Sequence, residues 1–247
     1  MTDASTPATS PIRPGPADMI EIYYAPSEVF ERRRNGGFGV PLIVFAVAIT
    51  AIYYASLSAM QPLMDLEFAK ATAAMRQQNP AMSDAQVEGM RKFGGMFGGV
   101  GIFVMLGLIG PLLTGLVTWL VGKFAGVKQT LKSGMVVGVF AMFPIIVEMI
   151  VNAVQALLMD EGSITSRYSF SLGPARFLAA DTSATMLAAV GHIDLFTIWI
   201  AVLIAIGVRI TGRATTTQAA IVAIVVWVLG FLPAVGQAAQ QAAATAG

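Results

Sequence analysis

The stretch GVPLIVFAVAITAIYYASLSA, Gly39–Ala59, runs 21 residues without one charged side chain. A bilayer core of about 30 Å takes about 20 mostly apolar residues to cross as a helix. Four more stretches of this kind follow, at Gly99–Val121, Gly134–Leu158, Leu195–Val208 and Thr217–Val235. In hydrocarbon only helices and closed barrels satisfy their own backbone polar groups, and the ten-residue alternating segments of a barrel are absent. The expected fold is therefore all-α, a polytopic integral membrane bundle of five transmembrane helices.

Composition narrows the function classes. With 56% hydrophobic and 12% charged residues, against roughly 25% charged in soluble domains, little chain is left for an extramembrane globule. The net charge of +1, from 15 basic and 14 acidic residues, gives no basic field for nucleic acid. No cysteine is present, which removes disulfides, zinc–thiolate sites and thiol nucleophiles. The first 38 residues hold no apolar core of a secretory signal, so the first span is expected to serve as the insertion signal.

Four regions are expected. Residues 1–16, rich in Thr, Ser, Pro and Ala, read as a disordered tail. Residues 17–38 interleave Ile20, Tyr23, Tyr24, Val29 and Phe30 with Asp18, Glu21, Glu28, Glu31 and Arg32–Arg34, the pattern of an amphipathic segment lying at the cytoplasmic membrane surface. Pro26-Ser27 supply a helix start there, acids leading and bases trailing as the macrodipole favours. Residues 39–235 form the five-helix membrane domain, and 236–247 a short polar, Ala-rich tail. Within the domain, Asn79-Pro80 breaks the polar stretch Gln61–Lys92, and Ser83 with Gln86 fits a capping box. Asp160–His192 reads as an extended loop with one short helix, and Gly122–Ser133 and Arg209–Thr216 as tight turns. Nine basic residues fall on the amino-terminal side (Arg13, Arg32–Arg34, Lys123, Lys128, Lys132, Arg209, Arg213) and six on the other. Positive charge stays in the cytoplasm, which predicts a cytoplasmic amino terminus and an external carboxyl terminus.

Three motifs carry a family likeness. Tyr24-Ala25-Pro26-Ser27-Glu28-Val29-Phe30 leads through a basic turn into the first span. Gly122-Lys123-Phe124-Ala125-Gly126-Val127-Lys128 runs on toward Pro144 inside the third. Asp194-Leu195-Phe196-Thr197-Ile198-Trp199 opens the fourth, continuing to Leu203 and Gly207, and Phe170-Ser171-Leu172 lies upstream of it. Over most of 20–235 this pattern resembles the Yip1 domain family, in its bacterial branch by the Ala-rich composition. The resemblance implies a noncatalytic membrane protein. Eukaryotic relatives serve membrane traffic and touch small GTPases, the bacterial branch has no settled activity, and no family catalytic residue carries over.

Several residues stand out. Glu148, near mid-span, costs a few kcal/mol on insertion scales and marks function by default. Asn152 lies one turn along the same face. The pair reads either as a proton or cation relay or as interhelical hydrogen bonding. Asp194 is an N-cap for the fourth span, beside the single histidine, His192, which is a pH-switch candidate but a poor metal ligand set alone. Gly94, Gly95, Gly98 and Gly99 make two overlapping GxxxG spacings, and Gly134 with Gly138 a third, as close helix packing requires. No Gly-Lys-Ser/Thr follows them, so a phosphate loop is excluded. Pro111 and Pro144 are expected to kink their spans, freeing carbonyls for Thr114 or a neighbouring helix to satisfy. Arg32, Arg33 and Arg34 suit an anionic lipid surface as well as the topological rule. The methionines are dispersed and read as packing.

Two functions remain. One is a noncatalytic Yip1-type organiser of membrane or partner proteins, with membrane lipids, an unidentified protein or a second copy of the chain as partner and no cofactor or metal. The other is a small transporter or channel built on Glu148, Asn152 and Gln155. An intramembrane hydrolase lacks its HExxH motif, its cysteine and its second buried aspartate. The expected setting is a prokaryotic plasma membrane, crossed several times.

Overall fold

The computed structural model describes residues 14–179 and 182–246, with side chains to residue 240. Most of the disordered tail expected at 1–16, and Gly247 of the tail at 236–247, lie outside the described residues. Among the described residues every element is helical. Two short helices, α1 (Asp18–Glu21) and α2 (Pro26–Arg33), lead into a 40-residue α3 (Gly39–Gln78). After a break at Asn79–Pro80, α4 (Asp84–Gly101) returns, opened by the capping box of Ser83 and Gln86. It passes through a π-helical segment, Ile102–Ile109, into α5 (Gly110–Phe124). An α-helical register would ask Pro111 to donate a backbone N–H it lacks and would press its ring on the carbonyl four residues back. The widened turn just before it removes both demands. Thr114 answers no carbonyl there: its hydroxyl points to the Met142 sulfur, 3.8 Å away.

The third span comes in two pieces, α6 (Leu131–Ala141) and α7 (Pro144–Leu158), with Pro144 in the first turn of the second piece. The Tyr23 hydroxyl donates to the Phe143 carbonyl at this break, 2.9 Å away. The connection expected as an extended loop with one short helix holds three 3₁₀ turns, Glu161–Ser163, Arg167–Phe170 and Pro174–Phe177, before that helix. Then come α8 (Ala184–Gly191), α9 (Leu195–Thr211) and α10, which runs Thr216–Ala246.

Gly39–Gln78, Asp84–Phe124, Leu131–Leu158 and Thr216–Gln240 are each long and apolar enough to span a membrane. The fourth stretch becomes a fifth span only when α8 and α9 count as one, bent by 46°. The bend has a local cause, since Asp194 is held extended to cap α9 and cannot continue α8. At 1.5 Å per residue α3 is about 60 Å long, roughly twice the hydrocarbon thickness. Its far half and the polar first half of α4 form an antiparallel arm joined by Arg91–Asp65 and Arg76–Asp84 ion pairs, while the end of α4 packs Gly98 and Gly99 on Tyr53 and Tyr54 of the first span.

The core sits at the opposite end. Helices α5 and α6 pack closely, α6 also lies on α9, and α10 lies on α5, α8 and α9. Phe45, Phe140 and Phe143 form an aromatic stack with centroids 5.5–5.6 Å apart. Phe30 of α2 meets Phe140 edge-on at 6.4 Å. Ile22, Val29 and Phe30 are fully buried, so the apolar face of residues 17–38 is turned onto α6 and α9. At the break in the third span Tyr23 meets Phe143 edge-on at 6.4 Å, so protein covers this face there.

Candidate functional site

Helix α7 places Glu148 and Asn152 on one face, and that face looks into a cavity of about 250 Å³. Asp194, from the start of α9, and Met60 and Leu63 of α3 line the same space. The remaining wall is the connection after α7, which contributes Arg167, Tyr168, Phe170 and Ser171. Two anchors fold it inward. Gln155 donates its amide to the Phe170 carbonyl at 3.0 Å, and Asp194 Oδ2 accepts from the Ser171 hydroxyl and the Leu172 N–H, both at 2.7 Å. Asp194 Oδ1 meanwhile accepts the Phe196 N–H at 3.0 Å, as an N-cap does.

One carboxylate thus starts a span and pins the loop that roofs the cavity. Asp194→Ala is expected to cost about 1 kcal/mol through the cap and about 1–3 kcal/mol more through the orphaned Leu172 N–H. Asp194→Ser, which restores the cap alone, should recover only the first part. Thermal unfolding in detergent reads both, and an Asp194→Ser protein that melts with its parent would remove the loop-pinning role.

Glu148 is different. It shares the cavity wall with the Asp194 carboxylate, and among the described residues neither the Glu148 nor the Asn152 side chain has a hydrogen-bond or ion-pair partner. Arg167 stands at the rim, held loosely by Glu67 at 3.9 Å and lying over the Tyr168 ring at 5.7 Å. His192, two residues before Asp194, faces elsewhere. Its Nε2 donates to the Trp227 carbonyl at 2.9 Å, which fixes that nitrogen as the protonated one, and its ring packs on Trp227 and Phe231.

The three arginines have internal partners. Arg32 Nε donates to Asp18 Oδ1 at 2.8 Å and the same side chain pairs with Glu21. Arg33 donates to Asp18 Oδ2 at 2.6 Å and to the carbonyls of Gly15 and Gly37. Arg34 reaches Glu31 and the Ile210 carbonyl, each at 2.8 Å. A lipid phosphate at Arg32 or Arg33 has these carboxylates as competitors.

The glycines divide. Gly134 and Gly138 press on Gly115, Trp119 and Pro111 of α5, and Gly98 and Gly99 on the rings of Tyr53 and Tyr54. Gly94 and Gly95 have no atom of the chain within 4 Å of where a Cβ would stand. Sequence reading did not find Arg167, Tyr168, Ser171 or Met60, whose place at the cavity follows from a loop fold that no spacing announces. The serine-rich run around Phe170-Ser171-Leu172 was the one available signal. A family model described as Yip1 domain matches residues 20–236 of the chain; the match is to the family as a whole and carries no bacterial branch. No curated protein and no solved structure matches it.

Proposed function

Since the chain belongs to the Yip1 domain family across residues 20–236, a multi-pass membrane family, we propose that it is a noncatalytic organiser that holds a partner membrane protein through its α3–α4 arm. The observation behind this reading is the outer face of α4. Phe93 and Met96 are 65% and 71% exposed there, Phe97 is exposed beside them, and Gly94 and Gly95 lie open between. Small residues flanked by large apolar ones let a second helix approach to backbone distance. The chain's own bundle leaves this face uncovered, and an apolar helix of a partner fits it. The proposed setting is a prokaryotic plasma membrane, with the amino terminus cytoplasmic by the distribution of basic residues.

The test is a photoreactive residue at Phe97 in the native membrane, with a second at Leu120, which is equally apolar and exposed, as control. A discrete adduct from position 97 alone, lost when Gly94 and Gly95 are both changed to leucine, is the expected result. Diffuse lipid labelling from both positions would sink the proposal. A second copy of the chain in the adduct would make the partner the protein itself.

A second reading, a small transporter, draws on the cavity, where Glu148 has no partner of its own. It calls for solute flux in proteoliposomes that Glu148→Gln removes.

A further inference from the structure

The cavity beneath the pinned loop is not closed. It shares Met60 and Asn152 with a second space of about 190 Å³ between α3 and α7, also lined by Tyr53, Leu57, Met64 and Met149. The first space has mixed walls, with Glu148, Asn152, Arg167 and Asp194 among apolar side chains, and the second is mostly apolar. At roughly 30 Å³ per water the first holds about eight waters, the scale of a small polar group rather than of a peptide. The apolar part lies between α3 and α7, each in a helix long and apolar enough to span a membrane, a position a lipid tail can approach from the side.

The charges select the occupant. Asp194 has its oxygens engaged by Phe196, Ser171 and Leu172, while Glu148 lines the same cavity and, among the described residues, has no partner for its carboxyl group. Such an arrangement repels an anion at the inner end and calls for a cation with hydrogens to donate. A bare divalent ion is poorly served: among the described residues no three His, Cys, Asp or Glu side chains converge to hold one. At the rim the sign reverses. The Arg167 guanidinium, only loosely tied to Glu67 at 3.9 Å, offers the planar donor fork that suits a phosphate. Cationic and anionic ends separated along one cavity, with a hydrocarbon groove attached, are the outline of a zwitterionic lipid.

We infer that the cavity between α3, α7 and α9 binds an aminophospholipid: its primary ammonium lies between Glu148 and Asn152, its phosphate at Arg167, and one acyl chain in the groove beside Met60 and Met149. This site stands apart from the arm and does not depend on a protein partner there. A soluble amine would leave the groove empty, and a choline headgroup has no N–H to donate.

The experiment uses the full chain, purified in detergent and exchanged with vesicles of phosphatidylethanolamine, phosphatidylcholine and phosphatidylglycerol in equal parts, with bound lipid counted by native mass spectrometry. Phosphatidylethanolamine is expected to be retained about tenfold over either competitor, the ratio that one charge-assisted contact supplies. Glu148→Gln has no internal partner to lose, so the variant should elute as a monodisperse folded species and retain the three lipids about equally. Asn152→Leu provides an independent variant should the first fail to fold. Arg167→Ala should lower retention of all three lipids, since each carries the phosphate. No headgroup preference in the parent protein, or an ethanolamine preference that survives in a folded Glu148→Gln or Asn152→Leu, would overturn the assignment. Equal retention of the choline lipid would overturn it as well, because the ammonium hydrogen bond would then carry nothing.

Discussion

Gly138→Val is expected to abolish recovery of the folded protein, while Gly94→Ala leaves it intact. A Cβ on Gly138 would run into the backbone nitrogen and Cα of Gly115 and the Pro111 carbonyl. These are atoms of the α5 main chain, which cannot swing aside as a side-chain tip does. The same crossing is tight from both sides: at Gly115 a Cβ would stand 2.8 Å from Met135 Cα, and at Gly134 it would stand 2.7 Å from Trp119 Cβ. Helix α6 has no room to retreat, because Val136, Val137, Val139 and Phe140 are fully buried against its other neighbours. Overpacking of a core costs about 1–3 kcal/mol and more where the backbone is the obstacle. Against a total of roughly 5–15 kcal/mol, and with two branched methyls to place, the cost falls at the upper end. Gly94 meets nothing, so its change to alanine should be neutral or raise stability by up to about 1 kcal/mol through helix propensity. Fluorescence-detected size exclusion and melting temperature in detergent compare the two. A Gly138→Val protein that melts with its parent would mean the α5–α6 crossing is not held this closely.

The contrast between these glycines shows which parts of the structure were legible in the chain. Spans are, because the requirement for about 20 apolar residues is imposed by lipid and shows in hydropathy alone. Caps are, because Ser83 with Gln86 and Asp194 with Thr197 act over three residues. The 134–138 spacing shows one side of the crossing, but its partner Gly115 has Pro111 and Trp119 at the four-residue positions and carries no spacing signal. The full length of α3 is hidden for another reason. Past Ala59 the hydropathy falls, although Leu63, Met64, Leu66, Glu67 and Ala69 are all good helix formers, so the helix outlasts the span. At Pro111 a kink is foreseeable, whereas a π-helical segment as long as Ile102–Ile109 leaves no spacing signal of its own. Glu148 and Asn152 are visible as intramembrane polar residues, yet the cavity they face is assembled from a loop about 15 to 20 residues further on and from α3, and such long-range closure leaves no periodic trace.

Asp18 is the other place where long-range pairing decides the outcome, and Asp18→Asn is expected to destabilise the protein by about 3–5 kcal/mol, the cost of removing one partner from a buried ion pair. The carboxylate is 1% exposed and Arg33 7%. It holds Arg32 and Arg33 together, accepts the Gly15 N–H at 3.1 Å, and so ties the chain before α1 to the end of α2. Arg33 lies over the Phe140 ring at 5.4 Å, inside the aromatic core, where water cannot replace a lost counter-charge. Burial alone would raise the Asp18 pKa, but the hydrogen bonds from Arg33 and Arg32 outweigh it and bring it below the ordinary value of 3.8. A carboxyl depressed on folding stabilises the native state above its unfolded pKa and loses that contribution as pH falls through the lower folded one. Stability carried by this cluster should therefore be complete at neutral pH and decay on acidification below about pH 4. Asp18→Asn should lower the melting temperature at pH 7 and flatten the acid limb. Glu31→Gln, whose Arg34 pair is 60% exposed on the acid's side, should do neither beyond the roughly 0–1 kcal/mol of a surface pair. Changing Asp18 to Leu and Arg33 to Met together should recover much of the loss, since what destabilises the single variant is an unpaired buried charge rather than a missing attraction. Matching melting temperatures for Asp18→Asn and Glu31→Gln, or a double variant worse than the single, would place the anchoring of this segment in its apolar residues Ile22, Val29 and Phe30 alone.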